Sequence, residues 1–314
     1  MRDNRKIRLA LLCGGKSAER EVSLAGGREV LKALDPRRYE VTTYDPADDL
    51  GRLIQDAPGL DAAFILLHGR YGEDGTVQGL LDLIGLPYQG SGVLGSAIAM
   101  DKHLSKVLYS RAGLPTPAWI DIRQAPEPLV RDIVGHLGLP LMVKPASQGS
   151  SVGMSKVLEE TQLKPAIDAA LTWDSRVIVE RFVSGREITG GVLGLEDPVP
   201  LPLVEIRPGD GYQFFDYDAK YKPGASVEIC PAPVSEEITR KAQDLAVAAH
   251  KALQLQGYSR TDMILDADGG IHVLETNTIP GMTPTSLLPQ AAQVAGISFS
   301  ALLDALIDMA LRDR

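Results

Sequence analysis

The run Leu9-Ala10-Leu11-Leu12-Cys13, apolar at every position and closed by Gly14-Gly15, is the tightest constraint on how this chain folds. It reads as a buried strand, and the sequence after it alternates strand, loop and helix. Ile7 to Leu12 is the first strand, Glu21 to Leu34 a helix stopped by Asp35-Pro36, and Tyr39 to Tyr44 and Phe64 to Leu67 are further short strands. The last runs into the Gly-rich loop His68 to Gly75. Such alternation predicts a parallel α/β sheet with ligands at the carboxyl ends of its strands. The basic residues before Leu9 imitate a secretion signal, but five apolar residues fall short of the ~7–15 that such a signal carries.

At 314 residues the chain is long enough for its core to divide into two or three units. The Gly-, Ser- and Pro-rich stretch Pro87 to Gly95 suggests one boundary and Ser184-Gly185 another, giving units 1–92, 93–184 and 185–314. The second pairs strands mostly antiparallel: Leu141 to Lys144, Ser155 to Leu158 and Val177 to Glu180, with a helix at Asp101 to Ala112 and another ending at Ala170. The third has strands at Ile188 to Leu193 and Leu201 to Ile206, an irregular segment 208–225, a helix from Ser235 to Leu255, a hairpin from Ser259 to Thr276 and a terminal helix from Phe299 to Leu311. A net charge of −9 argues against a broad surface for nucleic acid or membranes. Cys13 and Cys230 lack metal-site spacing, read as buried small hydrophobes and fit a reducing cytoplasm. No stretch supplies the ~20 apolar residues of a membrane span.

The hairpin carries the most chemistry. Asp268-Gly269 is a strong two-residue turn signal, and a turn there sets Asp262 opposite Glu275 and Arg260 opposite Asn277, all on one face. Two facing carboxylates repel. A divalent cation such as magnesium removes the conflict, and the Asn277 carboxamide adds a third oxygen. Met263, Leu265, Val273 and Thr276 do not make a strongly apolar opposite face, which weighs against a plain solvated sheet surface. The loop Ser147 to Gly153 follows a strand ending in Lys144, so small residues admit a phosphate to backbone N–H groups beside a fixed charge. It lacks GK[ST], and by itself it reads as a hairpin connection. Tyr212, Phe214, Phe215, Tyr217 and Tyr221 crowd the segment 208–225 between Pro208-Gly209 and Pro223-Gly224, which reads as a lid that excludes water.

Taken together, these segments resemble the ATP-grasp superfamily and, closely, the D-alanine–D-alanine ligases. The matching stretches are Gly14 to Ser23, His68-Gly69-Arg70 with Gly72 to Gly75, Gly90-Ser91-Gly92, Met100-Asp101-Lys102, Val143-Lys144-Pro145, Gly149 to Gly153, Tyr217 to Tyr221, Arg260-Thr261-Asp262 and Glu275 to Thr283. They run in order over nearly the whole chain. The resemblance implies a three-domain fold: a parallel α/β unit, then nucleotide held between two antiparallel-sheet units. It implies that one D-alanine carboxylate attacks ATP and that a second D-alanine amine displaces phosphate. Lys102 and Lys144 would then hold the α- and β-phosphates with Ser151, Lys220 would reach the transferred phosphoryl group, and Asp262, Glu275 and Asn277 would hold two Mg2+ ions, with Mn2+ as a substitute. Arg260 and the N–H of Gly281 would bind the developing oxyanion. Glu19, linked to Ser150 and Tyr221 with His68 nearby, would take the first ammonium, and Ser286 with Leu287 the second carboxylate. Glu180, Arg181 and Val183 would form the adenine hinge, and Glu187 would take the ribose. Phe182 stands where some relatives have Trp, a small departure because hinge contacts are largely backbone.

Without the resemblance, Glu19 reads as a first-turn carboxylate favoured by a helix dipole, and His68 as a satisfied structural histidine. Relatives suggest a homodimer. Tyr221 after Lys220 resembles the dipeptide-forming type, and D-alanine–D-serine or D-alanine–D-lactate ligation is the alternative. A regulatory protein that kept the fold would have lost a lysine or metal ligand, and none is missing. A Rossmann oxidoreductase would need the GxGxxG context that Gly14-Gly15 lacks.

Overall fold

The computed structural model describes residues 5–124, 127–149, 153–209 and 226–312, apart from the side chains at 127, 128 and 208. Its first sheet is parallel, in the order β2 (Tyr39–Tyr44), β1 (Ile7–Leu12), β3 (Ala62–Ile65). The apolar run serves two cores at once. Leu9, Leu11 and Cys13 face one, with helix α1 (Arg20–Ala33) and the last helix, α10 (Phe299–Arg312). Ala10 and Leu12 face the other, with α2 (Leu50–Asp56) and α3 (Thr76–Leu83). Each Leu so buried contributes roughly 1.5–3 kcal/mol, which is why no polar residue interrupts the strand.

Helices α4 (Val93–Met100) and α5 (Lys102–Arg111) lead into the second sheet. It is antiparallel, in the order β4 (Trp119–Ile122), β7 (Val177–Arg181), β5 (Leu141–Pro145), β6 (Ser155–Val157). Helices α6 (Glu127–Leu137) and α7 (Glu160–Leu171) cover one face, where Leu141, Val143, Val177 and Val179 join the core. The period of two then turns Met142, Lys144, Ile178 and Glu180 to the other face.

The third sheet joins β8 (Arg186–Leu193), with the short β9 (Val199–Pro200) beside it, to β10 (Val204–Pro208), β11 (Ser226–Ile229), β12 (Tyr258–Leu265) and β13 (Ile271–Asn277), in the order β11-β10-β8-β12-β13. Helix α8 (Glu236–Ala252) packs on it through Ala242, Ala246 and Ala249, and α9 (Leu287–Val294) lies towards the first sheet. The Gly-rich stretch before residue 95 hides the start of α4, whose N-cap is Gly92. Helices α2, α3, α6 and α9 and strands β4, β9 and β11 likewise escape the sequence pattern.

The hairpin departs from the simple turn. Leu265 pairs with Ile271 and Met263 with Val273, so the loop is Asp266 to Gly270 rather than Asp268-Gly269 alone. Asp266 organises it: its Oδ1 accepts from the N–H groups of Asp268 (3.0 Å) and Gly270 (2.7 Å). The register shifts between Asp262 and Met263, leaving Leu274 as the extra residue of a β-bulge. Beyond it Asp262 faces Glu275 and Arg260 faces Asn277, as the sequence leads one to expect. The bulge also explains how Val273 can be core while Glu275 is not. Met263, Leu265, Ile271 and Val273 are all buried in one cluster, so the opposite face is strongly apolar, contrary to the sequence reading. Cys13 is buried, and Cys230 only half-buried.

Candidate active site

A cleft with about 680 Å³ of empty volume lies between the second and third sheets. Lys144, Glu180, Arg181, Val183, Glu187, Asp262 and Glu275, all named from the sequence, line it. Phe182 and Leu274 line it too, Leu274 from the bulge. On the cleft face, Lys144 pairs in register with Ile178 and Glu180 with Met142, so the two long side chains are diagonal neighbours and reach each other. Lys144 Nζ forms an ion pair with Glu180 Oε1. Burial alone would raise the Glu180 carboxyl, but the Lys106 and Lys144 ammoniums outweigh it and hold the group below its ordinary value. Burial pulls Lys106 down against the attraction of Glu180, whereas Glu180 and Glu275 overcome burial at Lys144 and raise it.

Helix α5 carries Lys102 and Lys106 four residues apart, on one side of the helix. Asp101 caps it, accepting from Leu104 N–H at 3.0 Å, and its other oxygen meets Arg176 Nη1 at 2.7 Å. With the cap so fixed, Lys102 N–H donates to Ala146 O at 2.9 Å, and Lys102 Nζ donates to Gln148 O at 2.6 Å, 3.5 Å from Glu275 Oε2.

On the hairpin face Asp262 is 5 % exposed and fully engaged. Arg260 grips it with Nε on Oδ1 and Nη2 on Oδ2, both 2.8 Å, Thr189 Oγ1 donates to Oδ1 at 2.7 Å, and Asn277 Nδ2 donates to Oδ2 at 3.2 Å. The chain's own Arg260 and Lys102 also relieve the repulsion between Asp262 and Glu275. The donor set still suits a hard divalent cation, since two carboxylates and a carboxamide offer only oxygen ligands once the Asn277 amide nitrogen is turned to Asp262. Among the described residues no three His, Cys, Asp or Glu side chains gather to hold a metal.

A second group surrounds Glu19. This residue is the N-cap of α1, but its side chain makes no capping bond and is buried. It lies instead against two glycine backbones: a Cβ on Gly69 or Gly149 would come within 2.7 or 2.8 Å of Glu19 Oε2. Burial lowers the His68 pKa, against the pull of Glu19. Glu73, to which the sequence assigned no role, accepts from Gly69 N–H at 2.7 Å, and burial together with the charge of Glu19 pushes its carboxyl up to about 8. Beyond the cleft, Ser286 precedes α9; its Oγ accepts from Thr283 N–H at 3.1 Å and would lie 3.0 Å from a Cβ on Gly281, while Leu287 is buried. Ser150, Ser151, Lys220 and Tyr221, with lid positions 210–225, lie outside the described residues. Sequence reasoning missed Lys106, Thr189, Glu73 and Leu274; only Lys106, one helical turn after Lys102, leaves a visible signal.

Fold and cleft together define an ATP-grasp protein: two antiparallel sheets facing each other across a lysine- and carboxylate-lined cleft, attached to a parallel α/β unit. Residues 108–308 match the family described as "D-ala D-ala ligase C-terminus", and 47–91 match "D-ala D-ala ligase N-terminus". A D-alanine–D-alanine ligase of Syntrophobacter fumaroxidans is 58% identical over 98% of this chain and 99% of its own length. A crystal structure of the Bacillus anthracis D-alanine–D-alanine ligase complexed with ATP superposes with a TM-score of 0.85 at 37% identity, covering 98% of both chains. A D-Ala:D-Ser ligase from Enterococcus faecalis has a TM-score of 0.84 at 31% identity, covering 98% of this chain and all of the other. The chain belongs to the D-alanine–D-alanine ligase family.

Proposed function

We propose that the chain joins two D-alanine molecules at the expense of ATP, forming a carbon–nitrogen bond and supplying D-alanyl-D-alanine for peptidoglycan synthesis. A carboxylate oxygen of the first D-alanine attacks the γ-phosphorus, the bond to the β,γ-bridging oxygen breaks, and ADP leaves. The second D-alanine, its ammonium having lost a proton, attacks the acyl carbon, and phosphate departs. The observation that carries this reading is the cleft in which Lys144 and Glu180 of one sheet meet Glu187, Asp262 and Glu275 of the other.

Lys102 and Lys144, with Ser151, hold the α- and β-phosphates, and Lys220 the phosphoryl group in transfer. Glu180 accepts the adenine amine. In support, Glu180 lines the cleft beside Arg181 and Val183, and its Oε2 has no hydrogen-bond donor among the described residues, with Lys106 Nζ paired to it by charge at 2.9 Å. Arg181 and Val183 complete the hinge, and Glu187 takes the ribose. Asp262, Glu275 and Asn277 would hold two Mg2+ ions, or Mn2+, which when bound neutralise phosphate charge. Arg260, aimed by its two-point grip on Asp262, and Gly281 N–H stabilise the tetrahedral oxyanion. Glu19 with Ser150 and Tyr221 receives the first ammonium beside His68, and Ser286 with Leu287 the second carboxylate. The lid 208–225 excludes water from the acylphosphate.

The units 1–92, 93–184 and 185–314 correspond to the first-substrate and two nucleotide-holding parts of this enzyme, which we place in the cytoplasm as a homodimer. Among the described residues no single helix is long and apolar enough to cross a membrane. The acceptor is D-alanine rather than D-serine, since relatives at 58% and 53% identity carry the D-alanine–D-alanine name. Incubation with ATP, Mg2+, D-alanine and each acceptor in turn, followed by product mass, tests this; a D-serine or D-lactate product in preference to the dipeptide overturns it.

A further inference from the structure

Resting on the ATP reading above, the geometry points to Lys106 as a positioning residue that neutralises Glu180, leaving the charge of Lys144 for nucleotide phosphate. Three charges sit together almost without water: Lys106 is 1 % exposed, Glu180 3 % and Lys144 7 %. Lys144 pairs with Glu180 Oε1, and Lys106 stands 2.9 Å from Oε2. Lys106 does not line the cleft. Its ammonium donates to Thr116 Oγ1 at 2.8 Å and to Pro117 O at 3.1 Å, and it pairs by charge with Glu180 Oε2 at 2.9 Å. Lys144 differs in lining the cleft.

One lysine with one glutamate is a neutral pair, and phosphate entering beside it would meet a carboxylate as well as an ammonium. Two lysines with one glutamate leave a net charge of +1, at the lysine that lines the cleft. Lys106 thus lets one carboxylate serve the adenine amine without cancelling the phosphate cation beside it. Replacing it by the near-isosteric Met keeps the volume and leaves Glu180 with Lys144 as its only paired cation among the described residues.

The test is ADP and adenosine binding, by calorimetry, to wild type, K106M, E180Q and K106M/E180Q. In K106M, ADP affinity should fall about tenfold or more while adenosine affinity changes less than about threefold, because the loss lies at the phosphates. In the E180Q background there is no carboxylate to offset, so K106M/E180Q should bind ADP within about threefold of E180Q. Steady-state kinetics of K106M should show a raised KM for ATP with a smaller change in kcat. ADP and adenosine affinity falling together in K106M, as a distorted cleft would give, overturns the proposal. So does a tenfold loss of ADP affinity on adding K106M to E180Q, a comparison that stands even if K106M alone does not fold. Wild type that binds no adenine nucleotide would refute the ATP reading itself, a result visible before any variant is made.

Discussion

Asp262→Asn tests how the hairpin face works. The carboxylate receives four donors: Arg260 Nε and Thr189 Oγ1 on Oδ1, and Arg260 Nη2 and Asn277 Nδ2 on Oδ2. A carboxamide has one oxygen, so wherever its nitrogen is placed it meets one guanidinium N–H head-on. Thr189 or Asn277 can turn to accept instead, but Arg260 has no acceptor to offer. At least one charge-assisted hydrogen bond is lost, at about 1.5–3 kcal/mol, and a group 5 % exposed cannot recruit water freely. The role proposed for Arg260 at the oxyanion should suffer by the same amount, roughly 10- to 150-fold in kcat/KM, before any effect on metal binding is added. Thr189→Ala is the control. It removes the hydroxyl that donates to Asp262 Oδ1 but keeps the charge and the grip on Arg260, so it should cost about 1 kcal/mol of stability and less than about threefold in kcat/KM. Urea midpoints and steady-state rates at saturating D-alanine separate the two. If Asp262→Asn turns over within about threefold of Thr189→Ala, charge and two-point geometry are not what this face supplies.

Gly149→Ala would set a methyl 2.8 Å from Glu19 Oε2, so it should raise KM for D-alanine at the first site about fivefold or more while moving KM for ATP less than about twofold; initial-rate kinetics over both substrates checks this. Glu73 gives a pH signature. Its folded pKa, about 8, lies above the ordinary 4.5, so its contribution to stability is fully present below 4.5 and is lost as pH rises through about 8. His68 and His250, whose pKa values burial lowers, act in the opposite sense up to about pH 6.5 in both proteins, so the expected signature is a difference: the urea midpoint of wild type should fall relative to that of Glu73→Gln as pH rises through the window. Leu274→Ala, which trims the bulge side chain lining the cleft, should raise KM for ATP by about three- to tenfold with little change in the urea midpoint, since Leu274 is outside the apolar cluster of Met263 and Val273.

Much of this arrangement was legible in the sequence wherever a local rule governs it. Alternation along Leu141 to Lys144 and Val177 to Glu180 puts a lysine and a glutamate on the face away from the valines, and the structure does the same. Asp262 opposite Glu275 was also read correctly, through two departures that cancel: a longer loop moves the register by one residue and the bulge at Leu274 moves it back. Bulges follow from packing, here of Val273 and Met263 into the core, and leave no motif. Glu73 was opaque because Glu19, whose charge it meets, is 54 residues away in the chain, and Lys106, though visible one helical turn after Lys102, showed no partner because Glu180 is 74 residues away. The clamp of Arg260 on Asp262 was missed because the facing pair suggested repulsion, whereas the cation two residues along the same strand was the nearer answer.

ATP-driven ligation of two D-alanines is measured as phosphate release with and without D-alanine, with the product weighed by mass spectrometry. Release should occur only when ATP, Mg2+ and D-alanine are all present, with one D-alanyl-D-alanine formed per phosphate. Equal phosphate release without D-alanine, or none under any combination, would contradict it.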